Sequence, residues 1–437
     1  MQNYHKHSWF SNCCVIDCAT APEKYIQRNV EVGSQVVSTV EHGFQSNYYV
    51  YYDSVVDFNQ KLKARLDIGD ITEEQYNKQK QKFVFGAEAY WVKDRQKEYP
   101  YTVTDKKGNT ETKYRKDRAN CHIILLARNE QGRREINSIL SEANITGYYG
   151  QARVDLELLE QLKPEDVMVT TACVKYWQYE DIDDITMKLW KHFGDSFYLE
   201  TQCHNTDRQK DINKHIKELH YKYGIKWIVG LDSHYIYESD SVERDNYLEG
   251  RGFTYDEDEV GWYMDYPDRE TAKQRLIEQG VFNEAEIDEM LDASDIILTF
   301  DDITFGKDIK LPTLYPGKSQ EWKDNKLKSI IYDAWDKEKQ HVDPSRWKEY
   351  EDGIQYELNA VINTHMSDYF LLDYELVKRG KEYGGVITKT GRGSAVSYYI
   401  NSLLGFSSVD RFTSPVKLYP DRFLSEVRIL KTRSLPD

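Results

Sequence analysis

Two pairs of residues spaced two apart, His5 with His7 and Asp232 with His234, stand at the ends of short apolar runs. In an extended strand, residues two apart face the same way, so each pair can offer two ligands to one point. His42 in VEHG, Glu88 in FGAEAY, His122 in CHIILLA and Cys173 in TTACV fall within or near the ends of other apolar runs. Imidazole, thiolate and carboxylate are donors that zinc and manganese accept, and bridging carboxylates let two or three ions sit together. Such a cluster activates water and clamps the two oxygens of a phosphodiester displacement, so the matching substrate class is a phosphate ester. Taken singly, His42, His122 and Cys173 read as packed residues and Glu88 as half of an ion pair. Their recurrence near strand ends favours the metal site. His192, His204, His215, His220, His341 and His365 fall on predicted helices or outside the pattern, and read as packing or surface residues.

A second constellation is TKTGRGSAV, between a predicted strand and a predicted helix. Gly391 and Gly393 let backbone amides turn toward an anion, the helix N-terminus behind Ser394 adds its dipole, and Lys389 and Arg392 supply charge. Such a loop suits a triphosphate, although a glycine turn at this place, taken alone, is more often just a tight connection.

The elements that position these residues follow from the hydrophobic pattern. QVVSTV, KFVFGAEAYWV, CHIILLA, VMVTTACV, SFYLETQC and WIVGLDSHYI read as strands, with EKYIQRNVEVG, REINSILSEAN, IDDITMKLWKHFG and DRQKDINKHIKELHYKYG as helices between them. That alternation predicts an α/β domain over residues 1–300, with an exposed hairpin inserted at about 94–120. Prolines and glycines in TFGKDIKLPTLYPGKSQ mark a boundary, and 301–437 form a second domain in which RWKEYEDGIQYELNAVINTH is helical and GGVITKTGRGSAVSYYINSLLGF reads strand, glycine turn, helix. With 437 residues, 40% hydrophobic and 30% charged, the chain can bury two cores, and no apolar run approaches a membrane span. The opening MQNYHKHSWF lacks the apolar segment of a signal peptide, so a cytosolic protein is expected. A net charge of −16 argues against a surface that grips nucleic acid over its whole area but leaves room for a local site. The six cysteines form no CxxC pair and read as free thiols or isolated ligands.

HKHSWFSN, VEHG, FGAE, the histidine before IILLA, TTAC and GLDSHY, in this order, resemble the motifs of the PHP (polymerase and histidinol phosphatase) domain at the front of bacterial DNA polymerase III alpha subunits, the C-family replicases. The resemblance implies a distorted (β/α)7 barrel holding two or three zinc, manganese or iron ions, with His5, His7, His42, Glu88, His122, Cys173, Asp232 and His234 as ligands. For the ninth ligand, NCCVID offers Asp17 ahead of Cys13 or Cys14, and Glu41 replaces the aspartate that usually precedes the family's histidine. MSDYFLL, the GRGS loop, YPDRFLSE and RSLPD are similar in order to the start of the C-family palm, a nucleotidyltransferase (polymerase beta-like) fold that would here be incomplete. On that pattern Gly391, Arg392, Gly393 and Ser394 contact the incoming nucleotide and Asp437 is the first magnesium-binding carboxylate of the palm, although VRILKTR is longer than the family's usual link.

The resemblance implies a portion of a replicative DNA polymerase whose barrel removes mismatched nucleotides from primer 3′ ends. The second catalytic aspartate and the fingers would lie beyond Asp437, so this chain alone is not expected to polymerise. Implied partners are primer-template DNA, deoxynucleoside triphosphates, the remainder of the polymerase and, through that remainder, a sliding clamp; the compartment is a bacterial or phage-infected host cytoplasm. Two other readings are kept: a barrel that serves only as a structural or docking module, and a free-standing small-molecule phosphatase, against which the palm-like segment argues.

Overall fold

A computed structural model of the chain describes residues 1–437 apart from 15–16, 44–46, 105, 107, 118–120, 173, 253–260, 307–311, 389–391 and 433–437. Cys173, Lys389, Gly391 and Asp437 therefore lie outside the described residues. The chain divides into two compact units, Met1–Phe305 and Gly306–Asp437. Among the described residues no helix is long and apolar enough to cross a membrane.

The first unit is mixed α/β. Its strands are β1 Val36–Ser38, β2 Lys82–Val84, β3 Gly86–Trp91, β4 Glu98–Thr104, β5 Thr110–Lys116, β6 Cys121–Ala127, β7 Arg153–Val154, β8 Val167–Thr171, β9 Phe197–Thr201 and β10 Lys226–Val229. Six of them form a sheet in the order β10-β9-β8-β6-β3-β7, and β1 pairs parallel with β2. The sheet is carried round by the N-terminal segment: Lys6 bridges in parallel to Ser233 beyond β10, and Ser38 Oγ on β1 donates to Tyr4 O at 2.6 Å. Residues 3–7, β1, the consecutive β2 and β3, β6, β8, β9 and β10 thus follow one another round a distorted ring.

Alternation along the strands sorts the side chains to two faces. Ile123, Leu125, Val167, Val169, Phe197, Leu199, Trp227 and Val229 belong to the core packed against helices such as Glu130–Thr146, Ile182–Phe193 and Asp207–Tyr223. Ile124, Leu126, Met168, Tyr198 and Ile228 fill a separate interior cluster with Tyr4, Val36 and Phe300. Glu88, His122, Thr170 and Glu200 share the parity of this interior set, so strand periodicity alone turns them inward.

The strands and helices predicted in this unit are present, with three differences. The apolar run WIVGLDSHYI leaves β10 after Val229, because Asp232 takes a left-handed backbone with φ of 47°. A 20-residue helix, Tyr48–Asp67, was not predicted: it buries only Tyr51, Val55 and Leu62, too thin a stripe to stand out among tyrosines and charges. The helices Ser241–Gly250, Arg269–Gln279 and Glu284–Ala293 also went unread, the first two with weakly segregated faces. The inserted segment is a hairpin of β4 and β5, paired antiparallel from Glu98↔Lys116 to Thr104↔Thr110 and largely exposed.

Among the described residues of the second unit the regular elements are all helices, joined by irregular segments. Gln320–Glu338, Trp347–Asn363 and Ser367–Glu382 pack through Leu327, Ile331, Trp335, Ile354, Leu358, Val361, Phe370 and Leu371. The strand expected in GGVITKT is not formed over its described residues, 384–388; a lone strand in this unit would have no partner for its amides and carbonyls. After Gly393, with φ of 74°, come a single 3-10 turn, Ser394–Ser397, and a five-residue helix, Tyr399–Leu403. So few aligned peptides contribute little dipole, which corrects the helix-terminus element of the anion-loop reading. The RILKT part of the long link VRILKTR lies in a helix, Glu426–Thr432.

Gly132 shows how closely the first unit is packed. A Cβ there would lie 1.9 Å from the Asp166 carbonyl oxygen, so Gly132→Ala must displace the helix Glu130–Thr146 from the start of β8. We expect a loss of about 1–3 kcal/mol from overpacking, against a helix-propensity gain of about 1 kcal/mol. A lower urea-unfolding midpoint would bear this out, and an unchanged or higher one would contradict it.

Candidate metal centre

Eight of the nine sequence-predicted ligands are described, and they come together at one rim of the ring. His5 and His7 lie on the N-terminal segment, Asp232 and His234 on the turn after β10, Glu88 on β3, and His42 bridges in parallel to Glu88. His122 stands at the beginning of its strand and not at its end. Because β6 runs antiparallel to both β3 and β8, its start shares the rim with their ends. Asp17 reaches the cluster from the loop after HSWFSN, its Oδ2 at 3.3 Å from Nε2 of both His42 and His234. Cys13 and Cys14 fall in none of the potential metal-holding groups, which are His7–His42–His234, His5–His7–Asp232, Asp17–Cys18–His234 and His42–Glu88–His122.

Glu88 is the hub. Its Oε1 lies 2.9 Å from His122 Nδ1 and 3.4 Å from His5 Nε2, and its Oε2 contacts His42 Nδ1 and stands 3.7 Å from His7 Nε2. Asp232 Oδ1 is 3.1 Å from both His5 Nε2 and His7 Nε2.

The outer contacts decide which nitrogen faces inward. His5 Nδ1 donates to Glu200 Oε1 at 2.8 Å, and His234 Nδ1 donates to the Asp232 carbonyl at 2.8 Å. His7 Nδ1 lies 3.3 Å from Ser11 Oγ, whose own proton goes to Glu41. Each Nδ1–H spent outward leaves an Nε2 lone pair directed into the cluster, as metal-ligating histidines require. Glu41 also accepts from Ser8 N at 3.1 Å, Ser8 Oγ at 2.6 Å and the Tyr51 hydroxyl, so the residue that departs from the family pattern still anchors the His7 loop.

Two residues here escaped sequence reasoning. Glu200, buried on β9, accepts from His5, from Tyr4 OH at 2.6 Å and from Gln202 Nε2 at 2.9 Å. Its signal was the alternation in FYLETQC, where a carboxylate occupies an inward position of an otherwise apolar strand. His204, buried in the segment after β9, also lies in this region, where Asp232, His234 and His5 act on it.

The electrostatics are those of mutual support among buried groups. Burial pushes the Glu88, Asp232 and Asp17 carboxyls up, yet the surrounding imidazoles outweigh it and hold all three below their ordinary range. Burial would depress His5, but Glu200 and Asp232 raise it well above an ordinary histidine. His7 is pushed down to about 3 by burial and by the neighbouring His42 and His234, which together outweigh the opposing influence of Glu88 and Asp232. Among the described residues, His5 Nε2, His7 Nε2 and Asp232 Oδ1 are buried and make no hydrogen bond. Nitrogen and oxygen lone pairs held this close need a shared proton or cation, and a set of imidazoles and carboxylates suits zinc, manganese or iron. The residues therefore fit divalent metals.

In the second unit, Arg392 is exposed and Ser394 half-buried, with the Ser394 carbonyl accepting from Ser397 Oγ at 2.6 Å. The following helix is anchored by the buried Glu357, which accepts from Ile400 N at 2.9 Å and pairs with Arg411 Nε at 2.7 Å.

Inward carboxylates and histidines on a ring of strands, followed by a separate helical unit, define the class: residues 3–204 match the PHP domain family, and residues 325–437 match the bacterial DNA polymerase III alpha NTPase domain. The chain is 24% identical to a DNA polymerase III subunit alpha of Aquifex aeolicus and 23% identical to that of Campylobacter jejuni, each alignment covering 99% of this chain and 35% of the relative. A probable DNA polymerase YorL of Bacillus subtilis is 22% identical over 93% of this chain and 34% of its own length. The chain thus carries a PHP domain and a DNA polymerase III alpha NTPase domain in series, is similar to DNA polymerase III alpha subunits over nearly its whole length, and spans about a third of the length of the curated relatives it matches.

Gly230 makes the support behind His5 testable. A Cβ there would lie 2.1 Å from the Glu200 carboxyl carbon, so Gly230→Ala must push that carboxylate off His5. In the metal-free protein the His5 imidazole should then titrate at a lower pH than in the wild type, since Glu200 is the chief influence raising it. Histidine-resolved NMR would check this, and an unaltered His5 titration would remove Glu200 from the account.

Proposed function

We propose that the first unit is a metal-dependent phosphoesterase acting as a 3′–5′ exonuclease on DNA, within a replicative polymerase of the DNA polymerase III alpha type. The observation that carries this reading is the inward convergence of His5, His7, Asp17, His42, Glu88, His122, Asp232 and His234, with the imidazole tautomers set from outside. His5, His7, Asp232 and Glu88 would hold one ion and His42, His122, Glu88, Asp17 and His234 its neighbours, with Cys173 completing the set; zinc, manganese or iron all suit these donors. Bound there, such ions would polarise the scissile phosphate and lower the pKa of water. The protein's part is to keep the carboxylates ionised, to turn the imidazole lone pairs inward and, through Glu41 and Glu200, to stop the His7 loop and the His5 ring from rotating away.

The second unit would offer Lys389, Gly391, Arg392, Gly393 and Ser394 to a nucleoside triphosphate and Asp437 to a magnesium ion, as part of the polymerase active site. Primer-template DNA and deoxynucleoside triphosphates are the substrates of the whole enzyme on this reading, a sliding clamp is a further partner, and the compartment is the cytoplasm of a bacterium or infected host.

Purified chain supplied with manganese or zinc should shorten a primer bearing a mismatched 3′ nucleotide. His7→Ala and Asp232→Ala should each lower that rate by two orders of magnitude or more, about 2.7 kcal/mol of transition-state stabilisation. Equal rates in wild type and variants would sink the exonuclease reading. Chelation should also lower Tm, because ions bound only by the folded state stabilise it by mass action. A lowered Tm with no nuclease activity at any metal loading would favour a structural role for the ions.

A further inference from the structure

His204 breaks the pattern of the other histidines at this rim. It is 1% exposed, and its Nδ1 accepts a hydrogen bond from the Tyr263 backbone N–H at 3.0 Å. A neutral imidazole that accepts at Nδ1 carries its proton on Nε2. Among the described residues that buried Nε2 has no hydrogen-bond partner. His5, His7 and His234 direct lone pairs inward; His204 carries an N–H.

Its position follows from strand register. β9 and β10 pair in parallel from Lys226↔Tyr198 to Val229↔Thr201, and the ladder continues as Gly230 N donates to Thr201 O at 3.0 Å. Three residues beyond Val229 stands Asp232, and three beyond Thr201 stands His204. His204 follows the end of β9 by three residues, just past Gln202, whose Nε2 donates to Glu200 Oε1 at 2.9 Å, the carboxylate oxygen that accepts from His5. The charged groups that act on His204 are Asp232, His234, His5 and Arg275, and burial, the largest influence, pushes it down to about 4.

The surroundings hold this ring in place. The segment carrying Tyr263 is stitched to the Asp232–His234 turn, with Met264 O accepting from His234 N at 2.8 Å and Asp265 O accepting from Ser233 Oγ at 3.0 Å. Asp265 is paired with the buried Arg275 through two bonds of 2.6 and 3.0 Å, and that guanidinium lies 4.1 Å over the Tyr263 ring. Trp262 packs on the imidazole at 4.3 Å between centroids, and Gln279 Nε2 donates to the His204 carbonyl at 2.7 Å. A buried donor left without an acceptor costs about 1–3 kcal/mol, and here it is held beside the Asp232–His234 turn.

We infer that His204 is a substrate-binding residue of the metal centre, an Nε2–H donor for a non-bridging oxygen of the substrate's phosphoryl group, and not a metal ligand. This rests on the phosphoesterase reading. Nothing in its role needs a proton transfer: the imidazole binds and orients the oxyanion that the cations attract, with its tautomer fixed by Tyr263 N.

The test uses the full chain loaded with zinc and freed of excess metal, with inorganic phosphate as the probe. Calorimetric titration should show His204→Phe binding phosphate at least about tenfold more weakly than wild type, as loss of one hydrogen bond to a charged group predicts. Zinc content should be unchanged, and His204→Gln, which keeps a donor, should recover part of the affinity. In 15N-histidine-labelled wild type, the His204 Nε2–H resonance should survive zinc loading and shift on phosphate addition, a readout that needs no variant to fold. Equal phosphate affinity in His204→Phe, or an unmoved resonance when phosphate binds, overturns the role of His204 alone. Loss of that proton on zinc loading would make the residue a ligand and overturn it as well. A zinc-loaded wild type that binds no phosphate would bring down the phosphoesterase reading and this inference together.

Discussion

The pairing of the N-terminal segment with the backbone beyond β10 is the constraint on which the first unit depends. Lys6 bridges to Ser233, with His7 N donating to Ser233 O at 2.8 Å and Ser233 N to His5 O at 3.1 Å. This is the seam at which the ring of strands is carried round, and it sets HxH directly against DxH. The Tyr25 hydroxyl reinforces it, donating to His7 O at 2.6 Å and lying 3.1 Å from Ser233 O. A chain that lost the seam would lose its ring and four of its candidate ligands in one step.

From that seam the site is built by layers of polar groups that must satisfy one another, since each is buried where an unpaired charge is costly. Glu88 collects four imidazoles, Glu200 steadies His5, and Glu41 steadies the loop behind His7. His5 and His234 are polarised, their Nδ1 protons given to the Glu200 carboxylate and the Asp232 carbonyl and their Nε2 lone pairs left for the cluster. Such a centre is suited to cations and poorly suited to remaining without them, which is the physical link between the fold of this unit and the phosphate chemistry proposed for it.

Much of this was legible in the sequence because the signals were local. Alternating apolar runs marked β1, β6, β8 and β9, and the two-residue spacing of His5 with His7 gave their common face. What stayed hidden was non-local. Nothing in CHIILLA tells that β6 runs antiparallel, which is what brings His122, at the beginning of its strand, to the rim formed by the ends of β3 and β8. Nothing in LETQCH tells that Tyr263 will take the Nδ1 of His204, so that histidine read as ordinary packing. The strand expected in GGVITKT failed for a related reason, because a strand needs a neighbour that no local pattern supplies.

By itself the sequence determined which atoms could bind a cation, which face of each strand they would occupy, and that two units would follow one another with a change of character near residue 300. Those properties depend on side-chain chemistry and on backbone periods of 2 and 3.6 residues, which are written into neighbouring positions. Only the tertiary structure decided the direction of β6, the left-handed turn that presents Asp232, the carboxylates behind His5 and His7, and the inward nitrogen of each imidazole. These are settled by hydrogen bonds between residues up to some two hundred positions apart, such as His5 with Glu200 and Tyr25 with Ser233. A tautomer is fixed by whichever partner arrives, and the partner arrives only when the ring has formed.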